Sequence, residues 1–169
     1  MKANLYLFIG YPGAGKTVIA KIINKHTEAF HIWADVERHK FFERPTHSKK
    51  ESDELYQKLN DATEYLLSQK KSVIYDTNFN FLADRNKMRQ IAQKYKAETV
   101  LIWVNTPINI AYKRAVKSQI KRNNYDYLMS DKQFYKIANK LEAPTKSEKP
   151  IIIDGSNINE AEVVKLLKL

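Results

Sequence analysis

Gly10-Tyr11-Pro12-Gly13-Ala14-Gly15-Lys16-Thr17 reads G-x-x-x-x-G-K-T, and this stretch decides the fold. Its glycines let successive backbone N–H groups turn inward and approach an anion, which a Cβ would obstruct. Lys16 is placed to reach β- and γ-phosphates, and the Thr17 hydroxyl is placed to hold Mg²⁺. A helix starting here aims its positive end at the same phosphates. Residues 10–17 are therefore expected to bind ATP or another nucleoside triphosphate.

Such a loop should follow a buried strand and open a helix. Leu5-Tyr6-Leu7-Phe8-Ile9 is an apolar run of strand length, and Thr17–Ile23 continues with helical apolar spacing. Outward from there, strand-like and helix-like segments alternate, which predicts an α/β domain with a mainly parallel sheet. Ala29–Ala34 reads as the second strand and delivers Asp35-Val36-Glu37-Arg38 to its C-terminal end. Open α/β sheets bind ligands at that edge. Ser48 with Glu51 makes a capping-box pattern that opens a helix to about Gln69. Lys71–Asp76, Glu98–Val104 and Ile151–Ile153 read as the remaining strands. Helices are expected from about Ala83 to Lys96, from Thr106-Pro107 onward, from Ser130 to about Leu141, and from Asn157. The chain reads as one domain over residues 1–169, with a lid at about 114–130.

Composition bounds the chemistry. No cysteine is present, which excludes disulfides, thiolate metal sites and a cysteine nucleophile. Only Lys2 precedes the first apolar run, so no secretory leader is expected, and no run approaches the roughly 20 apolar residues of a membrane span. A cytoplasmic protein without membrane contact is expected, its oligomeric state left open. The net charge of +10 favours acidic partners such as nucleotides, nucleic acid or phosphorylated metabolites.

The guanine-reading sequence N-K-x-D is absent, and Asp76 is followed by Thr77 and not by the acid of large remodelling ATPases. Small kinases remain, in which catalysis is mostly positioning plus charge stabilisation of the moving phosphoryl group. Asp35 could accept a proton from an attacking hydroxyl; an N-cap aspartate is the plainer alternative. Arg38, one helical turn later, could hold an anionic group of the acceptor. Asp76 fits a place near the metal or substrate, with Thr77 and Asn78 adding hydrogen bonds; a polar strand-end turn is the plainer reading. Arg114, Lys117, Lys121 and Arg122 share an arc of roughly 140° if the segment is a regular helix. That face could close as a cationic lid, with Arg114 toward the nucleotide and Arg122 on the mobile side, or be a solvated basic face. The four histidines show no metal-ligand spacing and read as structural or surface residues, and Trp33 and Trp103 read as core. Tyr125 and Tyr127 could stack on a base or serve loop packing.

The sequence GYPGAGKT, then D-x-x-R as Asp35 to Arg38, then D-T-N as Asp76 to Asn78 resembles the kinase domain of polynucleotide 5′-hydroxyl kinases. More broadly it is similar to small P-loop kinases that include zeta toxins and antibiotic phosphotransferases. The resemblance spans nearly the whole chain. It implies a P-loop NTPase three-layer sandwich with a five-stranded parallel sheet of order 2-3-1-4-5 and a helical lid. It also implies ATP and Mg²⁺ served by Lys16 and Thr17, with Asp35 as general base. Arg38 and Thr77 would contact the phosphate flanking the acceptor nucleotide, with Asp76 near the reacting centre. With Lys113-Arg114 aligned on the family's first lid arginine, Ser118 stands where the second should be, and Arg122 is the candidate substitute. The implied acceptor is the 5′-hydroxyl of a polynucleotide. A small-metabolite kinase acting on a nucleoside, sugar or antibiotic, and a nucleotide-binding toxin-like protein, are the alternatives.

Overall fold

The computed structural model describes residues 2–118 and 129–169. Five strands form one all-parallel sheet of order β2-β3-β1-β4-β5: β1 Asn4–Ile9, β2 Phe30–Trp33, β3 Val73–Asp76, β4 Glu98–Asn105 and β5 Ile151–Asp154. This is the P-loop NTPase α/β fold and the strand order that the resemblance implies. The helices are α1 Lys16–His26, α2 Ala34–Phe41, α3 Lys49–Ser68, α4 Leu82–Lys94, α5 Ile108–Tyr112, α6 Asp131–Ala138 and α7 Glu160–Leu167.

β1 is central because both its faces are apolar, as a strand covered on both sides requires. Leu5, Leu7 and Ile9 pack with Leu55, Leu59, Leu67, Met88 and Ala92 from α3 and α4. Tyr6 and Phe8 face Ile19, Ile23 and Val163 from α1 and α7. Two helical layers thus clamp the sheet and hold the C-terminal ends of β1, β2 and β3 together. A third, small cluster of Ala111, Phe134 and Ala138 joins α5 to α6 above the loop that follows β1.

Local chemistry sets the helix ends, and three differ from expectation. Ser48 Oγ accepts from Glu51 N–H and caps α3, but the Glu51 carboxylate does not close the box; it serves Thr46, His47 and Arg38. Thr106 does not cap α5. Its buried hydroxyl donates to the Ala14 carbonyl at 2.8 Å, and α5 starts after Pro107. α7 starts at Glu160, capped by Asn159, whose side chain accepts from Glu162 N–H at 3.1 Å. α6 keeps both halves of its Ser130–Gln133 capping box. Among the described residues no helix is long and apolar enough to cross a membrane.

Candidate active site

The phosphate loop is built by backbone geometry. Gly15 sits at the N-cap of α1 with φ 111°, where a side chain would be strained, and a Cβ there would lie 2.5 Å from Ile158 Cδ1. No side-chain cap and no acidic residue occupy the first turn of α1, so its N–H groups face the loop as an anion site. Lys16 Nζ donates to the carbonyls of Gly10 and Tyr11 at 2.8 Å each, which curls the lysine back across the loop mouth.

Beside the loop, β3 ends on Asp76, which is 4% exposed. Its Oδ1 accepts from the Thr17 hydroxyl at 3.3 Å, and its Oδ2 lies 3.2 Å from His31 Nε2. The second contact makes Nε2 the protonated ring nitrogen, since a carboxylate only accepts. A hydroxyl and a carboxylate in contact are the hard oxygen donors that suit Mg²⁺. Among the described residues no group of three or more acidic, histidine or cysteine side chains forms a metal cage.

Asp35 lies in the first turn of α2 and lines the same cavity as Lys16, Thr17 and Asp76. Its side chain meets solvent within the cavity, while the surrounding walls withdraw it from bulk water. That withdrawal raises its pKa above the ordinary aspartate value, and the Asp76 carboxylate pushes the same way; Lys16, Arg38 and His47 oppose them. A carboxylate made more basic and facing a phosphate loop has the character of a proton acceptor.

The cavity, about 990 Å³, extends from the loop to α3 and α6. Arg38 lines it but is only 6% exposed, with its guanidinium on Glu51 and 3.4 Å from Ser52 Oγ. Burial alone would raise the Glu51 pKa. The backbone and hydroxyl of Thr46, Arg38 and the His47 N–H outweigh it and hold the carboxylate at about 2. Thr77 Oγ1 is 3.1 Å from Tyr56 Oη, and Asn78 is exposed on the wall. His39 and His47 line the cavity, and burial with the Arg38 charge lowers the His47 pKa.

Several residues outside the motifs also shape this wall. Asn80, 3% exposed, accepts the Gly10 N–H on Oδ1 at 3.1 Å and so ties the loop after β3 to the phosphate loop. Among the described residues its own Nδ2 has no partner. Arg85, 1% exposed, grips Glu148 through Nε at 2.8 Å and Nη2 at 3.1 Å, and donates to the Phe79 carbonyl. The Arg85 bonds outweigh burial and hold Glu148 at about 2, with help from Arg89 and the Thr145 N–H. The second asparagine of D-T-N-F-N and an arginine on the inner face of α4 were the available signals.

Arg114 also lines the cavity. It donates to the Gly155 and Ser156 carbonyls at 2.6 and 2.7 Å and so joins the segment after α5 to the turn after β5. Gly155 is needed there, because a Cβ would fall 2.0 Å from Thr106 Oγ1. Among the described residues the basic arc does not begin as the regular helix assumed for it. Lys113–Lys117 is a π-helical turn, which changes the angular spacing. Arg114 turns inward, while exposed Lys117 lies 4.0 Å from Asp131. Lys121, Arg122, Tyr125 and Tyr127 lie outside the described residues. Of the other residues singled out, His26 contacts Glu160, and Trp33 is half-buried and stacks on His31.

A family model described as an AAA domain matches residues 5–144. No curated protein sequence matches this chain significantly. Among solved structures, Kti12 of Chaetomium thermophilum in complex with ADP-AlF3 is similar at 17% identity and TM-score 0.78, covering 97% of this chain and 95% of that one. APS kinase CysC of Mycobacterium tuberculosis, in complex with AMPPNP and APS, aligns at 16% identity and TM-score 0.68 over 99% of each chain. A chain of the Pnkp1/Rnl/Hen1 RNA repair complex aligns at 18% identity and TM-score 0.69, covering 83% of this chain and 44% of that one.

Proposed function

This chain belongs to the AAA-domain family, and from that premise we propose that it is an ATP-dependent phosphotransferase acting on a hydroxyl acceptor, the 5′-hydroxyl of a polynucleotide foremost. The observation that carries the reading is Asp35 in one cavity with Lys16, Thr17 and Asp76. Lys16 would swing from the loop carbonyls to the β- and γ-phosphates. Thr17 and Asp76 would hold Mg²⁺, which supplies charge neutralisation when bound. Asp35 takes the proton of the acceptor hydroxyl; that oxygen bonds to the γ-phosphorus as the bond to the β-phosphate oxygen breaks, releasing ADP. Arg114 would close the nucleotide side, and Arg38 with Thr77 and Asn78 would border the acceptor. The Pnkp1 likeness and the net charge of +10 support a nucleic-acid acceptor.

One feature favours the second reading, a small-metabolite kinase acting on a nucleoside, sugar or antibiotic. Arg38 is engaged by Glu51 inside the wall and offers a strand phosphate less than an open arginine would. Transfer from γ-labelled ATP to 5′-hydroxyl DNA and RNA oligonucleotides, nucleosides and a metabolite extract tests both. Label on the oligonucleotide is the expected result. Label only on a small molecule installs the second reading, and ATP binding without any acceptor-dependent ADP release removes both.

A further inference from the structure

Phe81 is a large apolar side chain left open directly after two buried residues. Phe79 is 5% and Asn80 3% exposed, whereas Phe81 is 40% exposed and lines the cavity. It stands at the N-cap of α4, its carbonyl accepting from Arg85 N–H at 3.2 Å. Three further bonds fix this corner to the segment after α6. Glu142 N–H donates to the Asn80 carbonyl at 2.9 Å, Leu82 N–H to Glu142 Oε2 at 2.6 Å, and Arg85 Nη1 to the Glu142 carbonyl at 3.2 Å. Lys140 lies two residues before Glu142, and Lys136 one turn earlier on α6. Both are exposed and line the same cavity.

Among the described residues, six Lys and Arg side chains line the cavity against two carboxylates, Asp35 and Asp76. Lys16 and Arg114 belong to the phosphate-loop side, Lys21 lies over the Trp33 ring, and Arg38 is held by Glu51. Among the described residues, Lys136 and Lys140 are the lining cations that remain. An open aromatic face stacks on any nucleobase, and lysines supply point charges for phosphate. We propose that Phe81, Lys136 and Lys140 form an acceptor-side nucleotide subsite, Phe81 stacking on the base and the lysines taking its phosphate. This rests on the phosphotransferase reading above and assigns the acceptor's chemical class: a nucleotide unit, either free or at the end of a strand.

The test uses the full chain with Phe81→Ala, Phe81→Trp and the double variant Lys136→Ala/Lys140→Ala. Thermal melts check that each variant is folded. The acceptors are a 5′-hydroxyl oligonucleotide, a nucleoside 3′-monophosphate and the plain nucleoside. Phe81→Ala is expected to raise KM for nucleotide acceptors by about 5- to 150-fold, with kcat and the KM for ATP unchanged. Phe81→Trp should restore binding. The double lysine variant should weaken the two phosphorylated acceptors and leave the plain nucleoside alone. A response confined to the oligonucleotide identifies a strand end as the source, and an equal response with the monophosphate a free nucleotide. Wild-type KM for phosphorylated acceptors in both the phenylalanine-to-alanine and double lysine variants overturns the subsite and leaves the kinase reading standing. A second measurement titrates nucleoside 3′-monophosphate into Lys16→Ala protein with and without Phe81→Ala. Binding that needs Phe81 supports the subsite even if no acceptor is ever phosphorylated, which would remove the kinase reading alone; binding indifferent to Phe81 overturns the subsite.

Discussion

The two halves of the cavity are made in different ways. The phosphate-loop half comes from contiguous residues, 10–17, whose backbone forms the site. The acceptor half is assembled from α2, α3, the 77–81 loop and α6, held by side-chain clamps between residues far apart in sequence. Arg38–Glu51 stands in its wall and Arg85–Glu148 behind it. One half is specified by a motif of contiguous residues. The other depends on packing between residues far apart in sequence, and Asn80 joins the two at Gly10 N–H.

Lys16→Ala should abolish transfer with little change in melting temperature, because this lysine donates to loop carbonyls and its proposed role is to serve ligand phosphates. Retained turnover would break the assignment of the nucleotide half. Glu148→Gln attacks the other half from behind. Removing one partner of a buried pair costs about 3–5 kcal/mol, so denaturant unfolding should show a loss of that order, and acceptor KM should suffer before ATP KM. The pH dependence follows the same group. Held at about 2 against an ordinary 4.5, Glu148 stabilises the fold fully above pH 4.5 and loses that contribution as pH falls toward 2. Acid unfolding of the glutamine variant should lack that component; an identical acid transition would contradict the clamp.

Arg38→Ala sharpens the comparison on substrate. Loss of a charge-assisted contact should lower kcat/KM for an acceptor carrying the flanking phosphate by about 10- to 150-fold. An acceptor lacking that phosphate should change little. Equal losses on both would assign Arg38 to the Glu51 clamp alone.

The difference between the halves also explains how much could be read beforehand. The loop, the alternating strands and the ends of β2 and β3 are local patterns, and they locate Lys16, Thr17, Asp35 and Asp76. Asn80 on Gly10 N–H, 70 residues away, and Arg85 on Glu148, 63 residues away, are pairings that no local pattern encodes. Glu51 looked like half of a capping box because Ser48 precedes it at the right spacing; buried Arg38 competes for the carboxylate. The arc through Arg114 assumed 100° per residue, which the π-helical turn at Lys113–Lys117 does not keep.

The smallest of these effects is a displacement along the pH axis. A base is active when deprotonated, so kcat/KM should rise with pH through the Asp35 pKa. Burial and Asp76 raise that pKa, so the acid limb should lie above the ordinary aspartate value. A limb at the unperturbed position would deny the cavity's effect on Asp35.

Asp35→Asn, with kcat and ATP affinity measured on the same preparation, tests most directly whether the two halves meet at Asp35. The substitution keeps shape and hydrogen bonding but removes the proton acceptor. The account predicts a fall in kcat of about 10²-fold or more with ATP affinity nearly unchanged. Preserved kcat with a raised acceptor KM would contradict it and make Asp35 a binding residue.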